Sequence, residues 1–132
     1  MRITKSVERW FPVPDDPDEG EVLIRHLKRG ELMDISFETT KQETRYRLND
    51  AQELEPEMTS RSDTRASQIA IFNAAVRNWK NFYDEDGNAL TCTDENKVKA
   101  MREIDGLTEF VGECRDKLAA DIDAEKKEQE KN

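Results

Sequence analysis

Apolar positions gather in three patches along the chain: Val22 to Phe37, Ile69 to Phe82 and Val98 to Ile122. Between the first two, Glu38 to Gln68 holds only Leu48 and Leu54 from the Leu, Ile, Val and Phe set. Such a stretch buries little surface, so residues 38–62 are expected to form a poor core and to be a loop, an exposed helix or a mobile segment. The N-terminus reads as a hairpin. Val7 to Val13 carries Trp10 and Phe11, both strand-favouring. Pro12, Pro14 and Pro17 with Asp15-Asp16 and Asp18-Glu19-Gly20 supply turn chemistry, and Glu21 to Leu27 resumes as a strand with apolar residues on both faces. A short helix over Gly30 to Ile35 follows, and Ser36 to Leu48 is ambiguous between strand and helix.

The second half reads as three helices. Ser60 with Asp63 has the spacing of a capping box, and Ile69, Phe72, Val76 and Trp79 fall at intervals of three and four, which predicts a helix running to Lys80. Asn81 to Cys92 is a turn around Asp84-Glu85-Asp86-Gly87. Thr93 is a good N-cap, with Asp94 and Glu95 on the first turn of a helix that ends near Ile104 before Asp105-Gly106. Leu107, Phe110, Val111, Cys114, Leu118 and Ile122 then form one amphipathic stripe. The expected architecture is α+β: an N-terminal β-hairpin followed by a mainly helical domain with three C-terminal helices. One domain is expected over residues 1–122, with a charged tail over residues 123–132.

Charge narrows the function classes. Lys and Arg number 21 against 30 Asp and Glu, a net charge of −9, and charged residues make 39% of the chain. That balance repels nucleic-acid phosphates unless a basic patch overrides it, and no run of Lys and Arg provides one. No stretch is apolar enough to span a membrane, and Met1 to Val13 lacks the apolar region of a secretory signal.

Candidate chemistry is sparse. His26 is the only histidine, and no nucleophile motif accompanies it, so no catalytic residue is assigned. Cys92 and Cys114 lack metal or redox spacing and read as thiols in a reducing compartment. Asp84, Asp86, Asn88 and Glu95 occupy positions 1, 3, 5 and 12 of an EF-hand-like loop, but Ala89 stands where that loop requires Gly. A turn followed by a capped helix explains those residues without a metal. Glycine-rich phosphate loops are absent, and no cofactor is expected. Trp79 is read mainly as a core residue closing the Ile69-Phe72-Val76 stripe, and it is also, with Phe82 and Tyr83, the candidate for partner binding.

These residues also carry a resemblance. A helix reaching Trp79, then Phe82, Asp84-Glu85-Asp86-Gly87, Leu90, Thr93-Asp94-Glu95-Asn96 and Met101, resembles a pattern in the tail assembly chaperones of tailed bacteriophages. Trp10, the Asp/Pro-rich loop, Glu21-Val22 and Gly30-Glu31-Leu32 add to it, whereas residues 38–68 match nothing in that family. The resemblance implies a non-enzymatic chaperone that binds the tape measure protein in the bacterial host cytoplasm, with the tail tube protein as a further partner and a homo-oligomer as an open option. Two other readings are a small phage structural or connector protein and an acidic inhibitor that mimics DNA.

Overall fold

A computed structural model describes residues 1–130 of the chain. Helices and strands are mixed in an α+β arrangement that opens with a β-hairpin and closes with a long helix. The described residues divide into two compact units, one built from residues 1–28 and 72–130 and the other from residues 29–71.

The first unit is organised by a three-stranded antiparallel sheet. Strands β1 (Glu8–Pro12) and β2 (Glu21–Arg25) are the expected hairpin, with Trp10 opposite Leu23 and Phe11 opposite Val22. The third strand corrects the helix expected to reach Lys80: α2 (Thr64–Ala75) stops at Ala75, and β5 (Val76–Lys80) pairs with the free edge of β2. The register slips by one residue between Leu23 and Ile24, so Ile24 faces Val76 while Val22 faces Trp79. This bulge puts Val76 and Trp79, three apart in sequence, on the same buried face. A spacing of three is also the helical spacing, which is why the segment reads as a continued helix.

The helix stops without a glycine or proline. Its last carbonyls lack intrahelical donors and are taken by cations from elsewhere in this unit. Lys97 Nζ donates to the Asn73 carbonyl at 3.1 Å, and Arg25 Nη2 donates to the Ala74 carbonyl at 3.2 Å. Positive charge at a helix C-terminus also suits its dipole. At the other end, the N-cap is Asp63, whose Oδ1 accepts from the Ala66 amide, and Ser60 lies in a strand instead of starting a capping box.

Two helices complete the unit. In α3 (Asp94–Glu103) Thr93 caps as expected, its hydroxyl accepting from the Asn96 amide. Gly106, at φ +80, sits in the turn into α4 (Leu107–Glu130). Leu107, Val111, Cys114 and Leu118 of α4 are buried, and Phe110 and Ile122 are half-buried beside them, so the expected stripe is the packing face. They share one core with Phe11, Val22, Ile24, Phe72, Val76, Trp79, Phe82 and Ala100. From residue 123 the described part of the tail continues as exposed helix to Glu130; the last two tail residues lie outside the described ones.

The second unit contains α1 (Arg29–Glu38), which extends beyond the short helix expected over Gly30 to Ile35, and the first two turns of α2. Its centre is a hairpin of β3 (Thr40–Leu48) and β4 (Leu54–Ser62), nine residues each in unbroken register. Thus the ambiguous stretch divides, Ser36 to Glu38 ending α1 and Thr40 to Leu48 forming a strand, and Leu54 to Ser62 after it is a strand as well. Asn49 closes the hairpin by accepting the amides of Ala51 and Glu53 at its Oδ1, with Gln52 at φ 58. No residue between 29 and 71 is buried.

Candidate functional site

The β1–β2 connection is a built loop. The Asp16 carboxylate holds it from inside: Oδ1 accepts from the Asp18 amide at 3.0 Å and Oδ2 from the Gly20 amide at 2.9 Å. Val13 N donates to the Gly20 carbonyl at 2.8 Å, and Asn81 Nδ2 reaches across from the end of β5 to the Glu19 carbonyl. Gly20 is required by contact, since a Cβ there would stand 2.6 Å from Asp16 Oδ2 and 3.2 Å from the Phe82 ring. The turn after β5 is fixed in a similar way. Asp84 Oδ1 accepts the amides of Asp86 and Asn88, Gly87 takes φ +80, and Tyr83 bridges to Ala89.

These two loops and the start of α4 enclose a cleft of about 590 Å³ within the first unit. Apolar surface comes from Val13, Pro14, Pro17, Phe82, Tyr83, Ile104, Leu107 and Phe110. Six acids also line it: Asp15, Asp16, Asp18, Asp105, Glu109 and Glu113; no Lys or Arg does. Among the described residues, Asp15, Asp18, Asp105, Glu109 and Glu113 make no ion pair. The cleft therefore presents uncompensated negative charge around an apolar floor.

The three sequence candidates divide between interior and cleft. Trp79 is 6% exposed, stacks on Phe82 with ring centroids 4.6 Å apart and planes within 6°, and donates from Nε1 to the Leu90 carbonyl at 2.6 Å. Phe82 is 8% exposed and lines the cleft, as does Tyr83, which is 45% exposed. Trp79 thus supports from behind, Phe82 forms floor, and Tyr83 is available for contact. The carboxylates of the Asp/Pro loop and of α4 were not singled out in the sequence. Their signal was a concentration of acids after Pro14 and on both sides of Pro17, and at Asp105, Glu109 and Glu113, diluted in a chain with 30 acids.

The remaining chemistry-bearing residues sit elsewhere. His26 follows β2, half-buried, its amide bonded to the Val7 carbonyl. Asp84 spends Oδ1 on its own turn and Glu95 lies on the first turn of α3; among the described residues no three His, Cys, Asp or Glu gather as a metal would need. A backbone hydrogen bond first, and then the hydrogen bond and charge of Lys99, hold the Glu85 carboxyl below the usual range. Both cysteines are free thiols, and burial raises each pKa, that of Cys114 to about 11. Neither has the lowered pKa of a reactive thiolate. No described helix is long and apolar enough to cross a membrane.

No family model, curated protein or solved structure matches the chain.

Proposed function

We propose that the protein is a non-enzymatic assembly chaperone of the tail assembly type, which holds a helical segment of a tape measure protein in the bacterial host cytoplasm before the tail tube forms around it. The observation that supports this reading is the cleft beside Tyr83: an apolar floor ringed by six acids with no compensating base. Such a surface suits an amphipathic helix whose apolar residues enter the floor while flanking Lys or Arg meets the rim. Binding of that kind is reversible and salt-sensitive, as release of a client requires.

Co-expression with a tape measure protein tests the reading. The client moves from the insoluble to the soluble fraction with the wild-type chain and stays insoluble with a Glu109→Lys, Glu113→Lys variant that reverses the rim charge. A client equally insoluble with and without the wild-type chain, both being well expressed, refutes the chaperone function. Rescue by both chains alike refutes the cleft as its seat.

A further inference from the structure

The second unit carries a feature that the cleft does not explain. In the β3–β4 ribbon, directly paired residues share a face: Thr40 with Ser62, Gln42 with Ser60, Thr44 with Met58, Tyr46 with Pro56, and Leu48 with Leu54. Hydrogen bonds from Thr44 Oγ1 to Met58 Sδ and between the Thr40 and Ser62 hydroxyls place those side chains together. None of the ten residues is charged, in a chain where 39% of residues are. The other face carries Lys41, Glu43, Arg45, Arg47, Glu55, Glu57 and Arg61, with Arg45 opposite Glu57 and Arg47 opposite Glu55. The ribbon is thus amphipathic, yet its apolar side is open: Tyr46, Leu48, Leu54 and Met58 are 65–69% exposed. A two-stranded hairpin with nothing against its apolar face is marginal in water.

We propose that this uncharged face is the interface with a second copy of the same chain, two ribbons stacking face to face about a two-fold axis. Three observations favour a second copy as occupant. A chain of net charge −9 resists approach of its like, and a ten-residue face without charge removes the local repulsion. The apolar residues cluster at the turn end, from Thr44 to Met58, and the hydroxyl and amide residues at the root, so the patch is self-complementary tip on tip, as an isologous contact requires. Four large apolar side chains at this exposure offer on the order of 500 Å² per copy, about 1,000 Å² for the pair, which reaches the lower limit of a specific interface. An acidic-rimmed cleft needs a cationic partner; this face, with no charge to satisfy, needs an equally uncharged one.

Sedimentation velocity of the full chain from micromolar to millimolar concentration tests the proposal, alongside hydrogen exchange across residues 40–62. The expected result is a concentration-dependent doubling of the 15.3 kDa mass, with slower exchange in the ribbon as the dimer fills. A Tyr46→Lys, Met58→Lys variant places like charges on the face and should remain monomeric throughout. The tryptophan bands of its near-ultraviolet circular dichroism, from Trp10 and Trp79 in the first unit, should be unchanged. A wild-type chain that stays monomeric at all concentrations overturns the proposal. So does a variant that dimerises like wild type, or a ribbon that gains protection only when a tape measure protein is added.

Discussion

Replacing Trp79 by alanine separates a structural role from a binding one. The indole fills the space between the sheet and Phe82, is 6% exposed, and makes a 2.6 Å hydrogen bond to the Leu90 carbonyl. Truncating a buried tryptophan costs ~3–5 kcal/mol, the sum of lost transfer energy and the cavity left behind. The parallel stack with Phe82 contributes about 0.5–1.5 kcal/mol of that total, and the indole hydrogen bond about 1 kcal/mol. A domain of this size holds only ~5–15 kcal/mol, so Trp79→Ala should be poorly folded. Trp79→Phe keeps a ring in place, loses the N–H donor, and should cost about 1–2 kcal/mol. Urea melts followed by far-ultraviolet circular dichroism measure both variants without relying on the fluorophore that has been removed. A Trp79→Ala midpoint displaced by less than about 1 kcal/mol, a value ordinary for surface changes, would refute the core assignment. Loss of client binding with that unchanged melt would move Trp79 to the binding surface.

Other perturbations probe the loop, the helix end and the buried thiol. Gly20→Ala drives a methyl group into Asp16 Oδ2 and the Phe82 ring, and should lower stability by about 1–3 kcal/mol in urea melts while weakening client rescue, because both contacts shape the cleft. Lys97→Ala strips the Asn73 carbonyl of its donor at the end of α2; a loss of about 1–3 kcal/mol is expected in the same melts, and a neutral result would mean water serves that carbonyl equally well. The Cys114 thiol is 4% exposed with its pKa raised to about 11, whereas an unfolded thiol ionises near ~8.5. Its contribution is therefore complete below that lower value and disappears as pH climbs to about 11, and Cys114→Ala should flatten this part of the stability–pH curve.

The elements legible in the sequence were those whose signals are local. The hairpin was carried by prolines and acids between two apolar runs, α3 by Thr93 and the acids after it, and α4 by a stripe from Leu107 to Ile122. What escaped was decided at a distance. The end of α2 depends on Lys97 and Arg25 reaching its carbonyls from other elements, and the bulge opposite Leu23 gives β5 a spacing that imitates a helix. The ribbon did alternate, through Tyr46, Leu48, Leu54 and Met58, but alternation foretells a strand only where one side is expected to be covered. At the cleft, Phe82 and Tyr83 stood out as aromatics. Its acidic wall did not, because Asp15 and Glu109 come together only through the loop that Asp16 ties and the turn at Gly106.

The distribution of burial assigns different work to the two units. Every buried side chain lies in residues 1–28 or from Phe72 onward, so the first unit has the apolar burial to fold and to hold a cleft in fixed shape. Residues 29–71 order a ribbon and two helical segments with no buried side chain to offset an entropy cost of ~1–2 kcal/mol per residue. The hydrogen bonds of the ribbon contribute little net, since water would satisfy the same groups. Covering the face that holds Tyr46, Leu48, Leu54 and Met58 would add apolar burial that this unit lacks, and that links assembly to its order. It also separates two kinds of substitution. Changes at Trp79 or Val22 remove buried surface from the core of the first unit, whereas Tyr46 in the ribbon and Tyr83 at the cleft are exposed and can be changed without opening a cavity in that core.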